Sequence, residues 1–166
     1  MSSPVFYASS LKKIITNIIL VLIPGIIGFL SSRLAGNTAI VYNSFKKPPL
    51  SPPPIVFPIV WGILYLLMGI SLVLAYRKSK SKEEFLDSAI YFFAQLFLNF
   101  LWPIVFFKYQ AFFYAVLILI AMWIFTGITV LKFYRINHLS GILLIPYWLW
   151  LTFALYLNIG VWLLNR

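Results

Sequence analysis

No cysteine occurs in this chain, which excludes disulfides, thiolate metal sites and a cysteine nucleophile. Acidic residues are almost as scarce: Glu83, Glu84 and Asp87 are the whole set, confined to one short stretch. No carboxylate therefore lies inside any apolar run, where proton-coupled pumps usually place one. The one histidine, His138, has no acidic partner or serine at a recognisable spacing, so an acid–base triad is not expected. It falls at the edge of an apolar run, a poor place for a haem ligand, and no cluster of ligating residues supports a metal site. Strict apolar–polar alternation is also missing. "ILLIPYWLWLTFALYL" is apolar on nearly every side, unlike the strands of a transmembrane barrel.

What the chain does have is hydrocarbon. Hydrophobic residues make up 63% of it and charged residues 10%, far from the averages of a water-soluble domain. A helix needs about 20 mostly apolar residues to cross roughly 30 Å of bilayer core. Five runs qualify: 14–34, 55–76, 89–107, 111–133 and 142–164. The expected fold is all-α, a five-transmembrane-helix bundle forming a single integral membrane domain over residues 1–166. Lys12 and Lys13 precede the first run, but it is longer than a signal-peptide core and no convincing small-residue cleavage site follows, so it is read as a retained span. The formal charge of +10 sits at helix ends, where lipid headgroups are the nearest anions, so nucleic acid is not an expected partner. One face would carry Lys12, Lys13, Arg77, Lys78, Lys80, Lys82, Lys132 and Arg135. The other would carry Arg33, Lys46, Lys47, Lys108 and Arg166. Eight against five places the N-terminus in the cytoplasm and the first loop on the outer face.

That first loop, 35–54, is the long connection of the chain, and "KKPPLSPPPIVFPIVW" (Lys46 to Trp61) closes it. Loops of such length are usually functional lids or disordered linkers. Tyr42, Phe45 and Leu50 want a surface to pack on, and proline lowers the entropy cost of ordering, so a fixed lid is expected. The segment is read as extended, with Ser51 available as a cap and the second long helix starting near Pro54. In the second loop, Ser81 and Glu84 have capping-box spacing.

Within the spans, polar and aromatic residues fall in stripes. Gln95, Asn99, Trp102 and Phe106 share one helical face; Tyr147, Trp150, Ala154 and Asn158 share another; Phe57, Trp61 and Tyr65 form a third. Gln95 is expected to bond between helices, whereas Asn99 is open to either packing or ligand contact. Trp162, Tyr109 and Tyr134 suit an interfacial belt. Trp61, Trp102 and Trp150 lie deeper, and each indole N–H needs a destination. An apolar cavity with a few convergent polar groups, suited to an amphiphilic small molecule, accounts for all three stripes.

"FLSSRL", "YNSFKKPPLSPP", "PIVWGILYLLMG", "QLFLNFLWPIVFF" and "PYWLWLTFALYLN" occur in that order across the five spans, and together they resemble the translocator protein family, also called tryptophan-rich sensory proteins or peripheral benzodiazepine receptors. The resemblance implies a bundle that is often a homodimer in the lipid bilayer, with a cavity under the first loop for porphyrins, sterols and isoquinoline or benzodiazepine compounds. Porphyrin is then a ligand, and no resident cofactor is implied. Carried over by position, the cavity residues are Tyr42, Pro52, Phe57, Trp61, Tyr65, Asn99, Trp102, Phe106, Trp150, Phe153, Ala154 and Leu157. Two departures stand out. Val41 replaces the tryptophan of the family's Trp-Tyr pair, and Ile159 replaces the tyrosine of its Leu-Asn-Tyr sterol motif. The implied function is a membrane receptor or binding protein, possible alternatives being a carrier of tetrapyrroles or sterols and an enzyme for light-dependent porphyrin breakdown.

The orientation is testable because the background has no cysteine. Single cysteines at Lys80 and Ser44 should react with an impermeant thiol label from the cytoplasmic and outer faces respectively; the opposite pattern sinks the assignment.

Overall fold

The computed structural model describes residues 4–166, with side chains from residue 10 onward. Helices are the regular elements of the described chain: α1 (Pro4–Ala35), α2 (Thr38–Ser44), α3 (Val56–Lys78), α4 (Lys82–Pro103), a π-helical turn (Ile104–Lys108), α5 (Phe112–Ile136), α6 (His138–Ile142) and α7 (Ile145–Leu164). Five helical stretches are long and apolar enough to cross a membrane: Ser10–Ala35, Val56–Lys78, Lys82–Lys108, Phe112–Ile136 and His138–Leu164. The protein is an integral, multi-pass membrane protein of the all-α class. Helix α1 lies between α3 and α4, α4 packs on α5, α5 on α7, and α7 returns loosely to α3.

Helix ends follow local chemistry. Ser81 accepts from the Glu84 backbone N–H at 3.2 Å, and the Glu84 carboxylate reaches back to the Lys80 N–H at 2.6 Å, a capping box displaced by one residue. Asp87 pairs with Lys132 across α4 and α5. Gly36, at φ +85°, ends α1, and the Asn37 side chain then caps α2 by accepting from the Ile40 N–H. The first half of the first loop, for which the sequence suggested no element, is helical, because a glycine stop followed by an asparagine cap restarts the helix before any proline intervenes. Ser51 caps nothing; its hydroxyl donates to the Pro48 carbonyl at 2.7 Å. Helix α3 begins at Val56, after a turn in which the Val56 N–H bonds the Pro53 carbonyl.

In lipid, helix pairing rests on close packing and interhelical polar contacts rather than on apolar burial. Both occur here. Gly69 of α3 lies against the backbone of Val21 in α1, so that a Cβ there would clash with it, and Gly28 of α1 receives the Tyr65 ring. Ser71 and Ser140 exchange bonds, each hydroxyl 2.7 Å from the other's carbonyl, and fasten α3 to α6. The buried centre is filled by Met68, Leu72, Phe92, Leu96, Met122 and Phe133 with their neighbours. Ile18, Leu22, Leu66, Phe97 and Leu131 are exposed outward, as a lipid-facing surface requires.

Gly69→Ala should destabilise the bundle by about 1–3 kcal/mol through overpacking against the α1 backbone. Gly62→Ala, where a Cβ meets open space, should not. Unfolding midpoints in one detergent check the pair, and equal midpoints would mean that α1 and α3 are not held this closely.

Candidate ligand cavity

Helix α4 contains Pro103, which has no N–H to give the Asn99 carbonyl. Its neighbours readjust. The Ile104 N–H bonds Leu101 instead of Phe100, and the freed Phe100 carbonyl accepts the buried Ser31 hydroxyl of α1 at 2.6 Å. The chain then widens into the π turn, closed by the Tyr109 N–H on Ile104 at 3.2 Å and the Ala111 N–H on Val105 at 3.1 Å. Such turns occur mostly as local interruptions at functional sites, and one extra residue per turn rotates whatever follows.

Beside this turn lies a cavity of about 790 Å³ between α1, α2, α3 and α4, with Pro103 and Phe107 in its lining. Six of the residues singled out from sequence line it: Tyr42, Phe57, Trp61, Tyr65, Asn99 and Trp102. The other six stand elsewhere. Phe107, not Phe106, faces the cavity; Phe106 is turned into a second cluster with Phe45, Phe112 and Val161, and Trp102 stacks on it at 5.0 Å. Sequence spacing assumed an unbroken α-helix, and the π turn shifts the register by one. Trp150 stands behind the α3 wall, its ring 6.2 Å from Phe57 and 5.6 Å from Phe153. Ala154 packs on the main core, and Leu157 is buried on the same helix. Pro52 contributes its carbonyl, which accepts the Tyr42 hydroxyl at 3.0 Å. Burial raises the pKa of that phenol and keeps it a donor. The α1 wall, with Gly25, Gly28 and Ser32, escaped the sequence reading; the small residues of "GIIGF" were the available signal.

A directed hydrogen-bond chain leads inward from the cavity wall. Tyr65 donates to Asn99 Oδ1 at 2.8 Å, Asn99 Nδ2 donates to the Tyr147 oxygen at 3.1 Å, and Tyr147 donates to Gln95 Oε1 at 2.8 Å. Asn99 is therefore part of the scaffold as well as of the wall. Trp61 stacks on Tyr65 at 5.3 Å and meets Tyr147 edge-on at 6.0 Å. Trp102 differs. Its Nε1–H is buried with no partner among the described residues. No Lys, Arg, His, Asp or Glu lines the cavity. Among the described residues, no three metal-ligating side chains come together.

The loop above is fastened to the end of α7. Lys46 and Asn165 exchange bonds, with the Lys46 N–H on Asn165 Oδ1 at 3.0 Å and Asn165 Nδ2 on the Lys46 carbonyl at 2.8 Å. Tyr156 donates to the Pro49 carbonyl at 2.8 Å, and Pro48 sits where Gly160 leaves no side chain. The Lys47 Nζ donates to the Tyr42 carbonyl at 3.3 Å and lies 4.7 Å from the centre of its ring.

Residues 20–163 match the model of the TspO/MBR family. The chain is 34% identical over 140 residues to a tryptophan-rich protein TspO from Chlorobaculum tepidum, covering 84% of this chain and 89% of that protein. It is 32% identical to protein CrtK of Rhodobacter capsulatus, covering 82% and 89%. Against a translocator protein from Sus scrofa it is 33% identical, covering 87% of each.

Removing the clamp with Asn165→Ala deletes two bonds to the loop. Amide exchange at Lys46 should accelerate about tenfold or more, given roughly 0.5–1.5 kcal/mol per bond, while exchange in the middle of α3 stays unchanged. Unaltered exchange at Lys46 would show that the loop is held by packing alone.

Proposed function

Because the chain belongs to the TspO/MBR family, we propose that it is a membrane receptor or binding protein for porphyrins and related flat, apolar ligands, with a regulatory role. The observation that carries this reading is a cavity of about 790 Å³ whose lining holds no charged side chain and includes Tyr42, Phe57, Trp61 and Trp102. The volume lies within the range of about 300–1,000 Å³ usual for small-molecule sites. The faces of Trp61, Tyr42 and Phe57 offer aromatic surface to a planar ring system. The Tyr65–Asn99–Tyr147–Gln95 chain holds the polar side of the wall in one arrangement, so ligand selection falls to the aromatic lining and to the cavity's shape.

Titration with protoporphyrin IX, read by quenching of intrinsic fluorescence, tests this. Trp61→Phe keeps an aromatic ring but shrinks the face it offers to the cavity and removes its indole N–H, so affinity should fall up to about tenfold. Trp123 is the control: its indole donates to Thr152 at 2.9 Å and it stacks with Trp148 on the α5–α7 side. Trp123→Phe should leave affinity unchanged. Equal losses in the two variants would remove the cavity assignment.

A further inference from the structure

The cavity has no charged wall, yet one of its lining rings carries a cation. All three acidic side chains belong to the first two turns of α4, at the end of the bundle away from the first loop, and the one ion pair among the described residues joins Asp87 to Lys132. On the lid side, Lys108 lies over Tyr109 and Arg166 over Trp162, neither ring lining the cavity, and Lys46 is exposed. Lys47 alone among these is half-buried, with its Nζ on the Tyr42 carbonyl and within 5 Å of the centre of the Tyr42 ring, which does line the cavity. An ammonium has three donors, and one is used here. Two protons and a full positive charge remain, unpaired with any carboxylate, beside a ring of the cavity wall.

Burying an ionised carboxylate against uncharged walls is costly, and a positive partner with hydrogen bonds offsets that cost. A ligand that is apolar over most of its body and ionised at one end therefore has one favourable orientation: ring system inward toward Trp102, charged end under the lid. We infer that Lys47 is the anion-binding residue of this cavity, selecting amphiphiles that carry carboxylates at one edge and setting their direction of entry. This rests on the ligand-binding reading above and adds the ligand's ionic end and the residue that meets it.

Protoporphyrin IX and its dimethyl ester share a ring and differ in ionisable carboxylates, so the pair isolates the effect. The wild-type protein should bind the diacid more tightly than the diester, and added salt should weaken the diacid alone. Lys47→Gln should lower diacid affinity about tenfold, the low end for a charged hydrogen bond at a half-exposed site, and leave diester affinity unchanged. Lys47→Arg should retain most of the preference, and Lys108→Gln all of it. Intact diester binding shows at once that the Lys47→Gln protein is folded. Equal losses for both probes would assign Lys47 to lid packing and overturn the inference, as would no change for either. If neither probe binds the wild-type protein, the ligand-binding reading falls with it.

Discussion

The chain of hydrogen bonds from Tyr65 through Asn99 and Tyr147 to Gln95 joins α3, α4 and α7 at the middle of the bundle. Water cannot serve these groups in hydrocarbon, so each must find a protein partner or be paid for in stability. Every donor in the chain points away from the cavity toward Gln95, which fixes the Tyr65 phenol and the Asn99 amide in single orientations. Trp61 rests on both tyrosines, and its place in the cavity wall follows from theirs. The loose return of α7 to α3 is tolerable because this polar chain, with the Phe57–Trp150 contact nearer the lid, bridges the seam.

Pro103 supplies the complementary constraint. A proline in a transmembrane helix strands the carbonyl four residues earlier and displaces the next, and the protein uses Ser31 to bring α1 to the displaced one. The same interruption turns Phe107 to the cavity and Phe106 to the cluster that receives Phe45 from the loop. One backbone irregularity thus places a residue of the cavity wall and the cluster on which the first loop rests.

Five spans and six of the 22 residues that line the cavity were legible in the sequence, because each depends on composition or on helical period. Apolar length alone identifies a span, and i, i+4 spacing alone aligns Phe57, Trp61 and Tyr65. The π turn was not legible: its signal, one proline at 103, also fits a plain kink, and a one-residue register shift leaves no mark in periodicity. The fate of Trp150 was hidden for another reason. It shares a stripe with Tyr147, but Tyr147 reaches Asn99 and Gln95 inside the bundle, whereas Trp150 meets the far side of Phe57, a difference set by how closely α7 approaches α3. Helix α2 had a readable start in Gly36 and Asn37, outweighed by the prolines that follow.

The first loop is a strap rather than a flap. Its outer half is tied to α7 by Asn165 and Tyr156, and its inner half carries Tyr42, whose hydroxyl is spent on Pro52 and whose ring contacts Phe57 at 5.1 Å. A ligand arriving through the strap would have to break several of these bonds together. The α1 side is closed by packing instead: Gly69 lies against the Val21 backbone, Gly28 receives the Tyr65 ring, and no hydrogen bond joins α1 to α3 among the described residues. Polar bonds thus hold the loop where the chain leaves the apolar spans, while close contact between small residues and large ones holds the cavity wall within them.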